Sequence, residues 1–295
     1  MRDDQTIFVR DIGKGKPIIL LHGFGMHSVH WLPFVYPLAR KFRFLIPDLR
    51  GFGRSHLTPF NRACIMSNYA DDLADLLAHY QFDSVKLAGI SMGAIAALQY
   101  QKRYNHQSIE RYLHIDQAPR CINGEDWFWG LFGAENDIRL TRARQLVQEL
   151  EPHIEAETPY QILPPRIRRR IWQELGDFFA AALSRPTQKA IFKKVCTLES
   201  LMMHLLPMQN WPVYINCIKA YLEQDYDMLE TFRNLKIPVS LVVGLKSEMY
   251  PCGGQLRIAD HVQNCEIIPF CNSGHTPLID QPFKFLKELG RFASG

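Results

Sequence analysis

The sequence predicts an α/β protein, a mostly parallel, doubly wound sheet with a helical region inserted into it. Three observations lead there. Short runs that are apolar on both faces alternate with helix-length segments along both flanks of the chain. That alternation stops between residues 119 and 232. A Gly-x-Ser-x-Gly pentapeptide, Gly89-Ile90-Ser91-Met92-Gly93, stands between a strand-like run and a helix-like segment.

Taken in order, residues 6–10 alternate like an early strand. Residues 17–22, PIILLH, form a continuous apolar run that suits a buried parallel strand, and His22-Gly23-Phe24-Gly25 breaks it. Residues 28–41 read as a helix interrupted by prolines. FRFLIPD at 42–48 is a second buried strand, followed by the loop DLRGFGRS. Residues 66–80 carry a helical apolar stripe at Leu73, Leu76, Leu77 and Tyr80, with Ser67 expected as its N-cap and Asp71 and Asp72 in its first turn. VKLA at 85–88 leads into Ser91, and an Ala- and Leu-rich helix follows. RYLHID at 111–116, PVSLVVG at 238–244 and CEIIPF at 265–270 are further strands, and FKFLKELGRF closes the chain as an amphipathic helix. Between them, 119–232 holds helical pieces punctuated by prolines and no clear buried strand. The expected organisation is a core of 1–118 and 233–295 with 119–232 inserted as a helical cap.

Composition narrows the classes. At 295 residues the chain is long enough for one large core with an insertion. A net charge of +4 is too small to argue for nucleic acid. No apolar stretch has the length of a membrane span, and the charged start MRDDQTIFVRD lacks the apolar region of a signal peptide. The seven cysteines, Cys64, Cys121, Cys196, Cys217, Cys252, Cys265 and Cys271, are odd in number and scattered, which suits reduced thiols in the cytoplasm. The eleven histidines have no metal-ligand spacing, so neither metal nor cofactor is expected. The expected partner is a small acyl substrate, and the expected state is a monomer or homodimer.

The chemistry follows from residue types. A serine flanked by glycines on a strand-to-helix turn has its hydroxyl pushed out at the sheet top, next to a helix N-terminus. Acyl transfer by such a serine needs a base, an acid to orient that base, and amide donors for the oxyanion. His275, in NSGHTP just past the last strand, is the candidate base. The amides of Met92 and Phe24 are the candidate oxyanion donors. His22 reads as a loop-stabilising residue, because the base is already assigned. Asp48, in DLRGFGRS, reads as a structural residue tying loops together.

HGFG, DLRGFGRS, GISMG and SGHTP, in this order and spacing, resemble the α/β-hydrolase superfamily over residues 6–118 and 236–295. That resemblance implies an eight-stranded core, a helical lid over the site and hydrolase chemistry. In much of the superfamily an aspartate follows the strand represented here by PVSLVVG, but Ser247 occupies that position. The acid is then expected at Asp116, with Glu248 as the alternative. Asp116 ends the strand RYLHID, and some members resemble this layout; Glu248 lies one residue past Ser247. HIDQAPRCINGEDW also resembles a bacterial subgroup with Asp-Gln-x-Pro after this strand. Serine at 91 argues against haloalkane dehalogenases and epoxide hydrolases, which use an aspartate there.

In the inserted region Trp127, Trp129, Met202 and Met203 are candidate walls of an apolar substrate pocket, and Arg166, Arg168, Arg169 and Arg170 read as a solvated helix face. The leading expectation is a serine hydrolase cleaving a carboxylic ester or related acyl compound with an apolar group through an acyl-enzyme. Cofactor-free perhydrolase or haloperoxidase activity on the same residues is the alternative enzyme. A non-catalytic receptor using the pocket is the alternative of another class.

Overall fold

The computed structural model describes residues 1–60, 65–105, 108–223 and 226–295. Seven strands form one sheet: β1 Val9–Gly13, β2 Pro17–Leu21, β3 Arg43–Pro47, β4 Val85–Ile90, β5 Ile109–Ile115, β6 Val239–Gly244 and β7 Cys265–Phe270. Their spatial order is β1-β3-β2-β4-β5-β6-β7. Only β1 runs antiparallel, against β3; every other pair is parallel. Parallel strands buried on both faces need continuous apolar sequence, and β4 and β6 are buried at every position.

The longer helices are α1 Ile65–Tyr80, α2 Met92–Tyr104, α3 Asn136–Glu155, α4 Pro165–Ala182, α5 Pro186–Cys196, α6 Glu199–Leu205, α7 Pro212–Glu223, α8 Leu229–Asn234 and α9 Pro282–Ser294. Alternate residues of each central strand point to opposite faces. Ile19, Leu21 and Leu87 join α1, α2 and the inserted helices in one core. Ile18, Leu20, Ala88 and Ile90 join Phe285, Leu289 and Phe292 of α9 in the other. Each fully buried side chain of that α9 stripe contributes about 1.5–3 kcal/mol. From α3 to α8 the described residues form helices and no strand.

Several expectations are corrected. The superfamily resemblance implied eight strands, and seven are present among the described residues. The chain ahead of β1 docks on α1 instead of adding a strand: Arg2 bonds Asp75, and Asp3 pairs with Arg50. The strand expected at 6–10 accordingly starts at Val9. The helix expected over 28–41 shortens to a 3-10 turn, Ser28–Trp31, and one helical turn, Leu32–Val35, because Pro33 and Pro37 interrupt it. Ser67 lies inside α1 and does not cap it; its hydroxyl accepts a bond from Gln99 at 3.3 Å. Six cysteines are in no disulfide among the described residues, and Cys64 lies outside them. Among the described residues no helix is long and apolar enough to cross a membrane.

Arg50 and Asp72 form a buried, two-pronged ion pair at 2.7 and 2.6 Å, joining the loop after β3 to α1. Removing one partner strands the other charge away from water. Arg50→Ala should therefore cost about 3 kcal/mol of stability, read as a lower urea midpoint; an unchanged midpoint would show that water reaches Asp72 freely.

Candidate active site

The strand order reverses around β2, which has β3 on one side and β4 on the other. In an open parallel sheet, ligands bind beyond the carboxyl ends of the strands at such a switch point. The loops that follow β2 and β4 there carry His22-Gly23-Phe24-Gly25 and Ser91.

Ser91 turns the chain from β4 into α2 with φ 53° and ψ −122°. A non-glycine residue held there costs of order 1–3 kcal/mol, so the surroundings must enforce it. They do so through the two glycines. A Cβ on Gly89 would meet the Gly93 carbonyl at 2.5 Å, and a Cβ on Gly93 would meet the Leu21 carbonyl at 2.5 Å. The Ser91 amide also bonds the Ile115 carbonyl at 3.0 Å, fastening the turn to the end of β5.

Asp116, next along β5, is fully buried and has φ 41°. Three donors converge on its carboxylate. Oδ2 accepts the Gly244 amide at 2.7 Å. Oδ1 accepts the Ser247 hydroxyl at 2.8 Å and His275 Nδ1 at 2.8 Å. A carboxylate only accepts, so His275 Nδ1 carries the proton and Nε2 is left as the basic nitrogen. The His275 loop is itself anchored. Asp280 accepts the Gly274 amide at 2.8 Å and the Ser184 hydroxyl at 2.8 Å, and the Thr276 hydroxyl donates to the Ala182 carbonyl at 3.2 Å. The end of α4 is thereby tied to the histidine loop.

Ser91 and His275 line one cavity of about 360 Å³. Its wall includes Phe24, Phe178, Phe179, Met202 and Leu206. Among the described residues neither the Phe24 nor the Met92 amide has an acceptor in the protein. Gly23 lets the backbone approach: a Cβ there would sit 3.3 Å from the Ser91 Cβ. Glu248 is elsewhere, exposed and paired with Lys189 of α5.

The substrate-wall expectations divide. Met202 lines the cavity. Trp127 and Trp129 do not; they pack edge-to-face on each other at 5.4 Å, and Trp129 lies against Gly253 and Gly254. Met203 is on the outer side of α6, partly exposed. Helical periodicity brings one of the two adjacent methionines to the wall and turns the other away. The arginine run spreads around α4: Arg170 and Arg166 pair with Glu149, Arg168 pairs with Glu199 and Arg169 is exposed. Sequence reasoning missed His27, His30 and His204 in the cavity wall. They stand singly or in a polar turn, without a pattern that marks a pocket.

His22 holds the loop. Its Nδ1–H donates to the Gly23 carbonyl at 2.9 Å, and Nε2 accepts the Leu49 amide at 2.9 Å. Asp48 does the same work from the other side, accepting the Ser28 and Arg54 amides at 2.6 and 2.8 Å.

A model of the alpha/beta hydrolase fold matches residues 16–121. The chain has the α/β-hydrolase fold and is similar to proteins of that superfamily. It is 24% identical to the AB hydrolase superfamily protein YisY of Bacillus subtilis (strain 168), over 98% of this chain and 96% of that one. It is also 24% identical to the pimeloyl-[acyl-carrier protein] methyl ester esterase of Nitrosospira multiformis, over 98% of each. Among solved structures, an esterase from Exiguobacterium antarcticum superposes with a TM-score of 0.74 at 17% identity, covering 99% of this chain and 97% of that one.

Burial pushes His22 and His114 down to about 4 from an ordinary 6.5. The unfolded chain then binds more protons between those values, so stability is full above pH 6.5 and falls as pH drops toward 4. Each histidine accounts for about 3 kcal/mol of that loss. His22→Gln should flatten the slope of unfolding free energy by about 1.4 kcal/mol per pH unit in this window; an unaltered slope in chemical denaturation would contradict a neutral His22.

Proposed function

We propose that this chain, a hydrolase that cleaves esters, is a serine carboxylesterase working through an acyl-enzyme, with Ser91 as nucleophile, His275 as base and Asp116 as the orienting acid. The observation that carries the reading is the 2.8 Å bond from His275 Nδ1 to Asp116, with the strained Ser91 turn in the same cavity. The near-full-length relative named an esterase supports ester cleavage.

His275 Nε2 takes the Ser91 proton as Oγ attacks the ester carbonyl. The developing oxyanion accepts the amides of Phe24 and Met92, whose hydrogens have no other acceptor among the described residues. The tetrahedral intermediate collapses, and the imidazolium returns its proton to the departing alkoxide. Water then enters, gives a proton to Nε2 and attacks the acyl-enzyme; the second collapse releases the carboxylic acid and restores Ser91. Asp116 fixes the imidazole tautomer and steadies its charged form throughout. Glu248, already paired with Lys189, takes no part.

Residues 119–232 serve as the cap over this site in this reading, with Phe178, Phe179 and Met202 forming its contact with substrate. Among the described lining residues none is Asp, Glu, Lys or Arg, which supports an uncharged, apolar acyl group.

Ser91→Ala should fold with an unchanged melting temperature or a slightly raised one, because alanine removes the reactive group and keeps the turn. Its hydrolysis of p-nitrophenyl butyrate should fall by about 10³-fold or more, and labelling by a fluorophosphonate should vanish. Retained hydrolysis at half the parent rate would reject the mechanism.

A further inference from the structure

A second cavity of about 400 Å³ lies beside the candidate site. It is built from α3, α4, α5, α7 and the segment ahead of α3. Leu131, Leu140, Ala143, Leu146, Ile218 and Leu222 supply its apolar interior. The two cavities share just two lining residues, Phe24 and Phe178. Their rings meet edge-to-face at 5.3 Å. A single pair of phenylalanines is therefore the partition.

The two halves of that partition differ. Phe24 is buried and held by rings on several sides, Phe52 at 6.0 Å, Phe179 at 5.6 Å and Tyr214 at 5.9 Å. Its own amide is an oxyanion donor in the proposed mechanism, so a shift of Phe24 would disturb that donor. Phe178 is only half-buried, on α4, and contacts Phe132 on the second cavity's side at 6.0 Å. Phe178 also packs on Phe179 at 5.7 Å, and it is the more exposed half of the partition.

The charge around the second cavity selects the occupant. Its lining holds Glu135, Glu174 and Asp177 against Arg139, Arg142 and Lys193. Two of these cations are already neutralised, Arg139 by Glu135 and Lys193 by Asp177, each at 2.6 Å. Three acids against three bases give the lining no net charge, so it does not favour a chain end of either sign overall. The interior below them is apolar and suits a hydrocarbon tail.

We propose that the second cavity takes the distal methylenes of a long, uncharged acyl chain whose ester carbonyl sits at Ser91, and that Phe178 is the residue that sets acyl length. The proposal rests on the esterase reading. His275 must protonate the leaving oxygen, so the leaving group occupies the part of the first cavity made by His275, Thr276 and Leu278. The acyl chain is left with the part made by Phe24 and Phe178, which borders the second cavity.

The experiment reads the ratio of kcat/KM for p-nitrophenyl laurate to that for p-nitrophenyl butyrate. Phe178→Ala removes the partition and should raise the ratio about tenfold or more, since each accommodated methylene is worth a sizeable factor. Ala143→Phe fills the second cavity from its far wall and should lower the ratio by a similar factor. In the double variant the gain from Phe178→Ala should disappear. The opposite signs guard against a variant that merely unfolds, and thermal melts identify one that does. Ratios within twofold of the parent in all three proteins would overturn the proposal. If the parent turns over neither ester, the esterase reading fails separately. The chamber is then tested by calorimetric binding of p-nitrophenyl laurate to Ser91→Ala with and without Ala143→Phe: weaker binding with phenylalanine supports it, and equal binding overturns it.

Discussion

The site depends on how one buried carboxylate is held. Asp116 is buried away from bulk solvent, and donors for its carboxylate come from the protein. Two of them, the Gly244 amide and the Ser247 hydroxyl, come from the end of β6. The third, His275 Nδ1, comes from the loop after β7. The Ser91 amide bonds the carbonyl of Ile115, the residue just before Asp116. Three neighbouring strand ends therefore meet at one side chain. Strand pairing sets the spacing of Ser91 and Asp116, and anchored loop hydrogen bonds hold His275 against them.

The remaining parts supply shape. Backbone contacts no side chain could survive hold Ser91 in its strained turn. His22 and Asp48 fix the loop that carries Phe24 into the wall of the Ser91 cavity. Hydrogen bonds from Ser184 and Thr276 link the inserted helices to the histidine loop, so the aromatic wall and the imidazole are positioned together. Apolar burial does the bulk of the holding, and a small set of directed bonds aims the reactive groups.

Much of this was legible in the sequence because the relevant signals are local. A buried parallel strand must be apolar along its length, so β2, β3, β4 and β6 could be read directly. Glycines around Ser91 mark a turn that only glycine permits. Asp116 was legible as a candidate because Ser247 stands where an acid is common. Preferring it over Glu248 rested on the sheet order that the superfamily resemblance implies, because periodicity alone carries no information about pairing. The missing eighth strand had the same cause: Arg2 and Asp3 find partners on α1 and in the Arg50 loop that no periodicity reveals. Ser67 was misread as a cap because a good capping residue also fits inside a helix when another side chain bonds its hydroxyl. The tryptophans were misjudged because size and apolarity are equally suited to a pocket wall and to a packed core.

The placement of the acid is the most exposed part of the account, and moving it is the most direct test. Ser247 Oγ and His275 Nδ1 both lie 2.8 Å from the same Asp116 oxygen, so a carboxylate grown from position 247 reaches the imidazole. The measurement is kcat for a short ester in Asp116→Asn and in Asp116→Asn/Ser247→Asp. The account predicts that the single variant loses about 10³–10⁴-fold and that the double recovers at least part of it, with the fold unchanged in both. Asp116→Asn working at near the parent rate would contradict the claim that Asp116 orients His275.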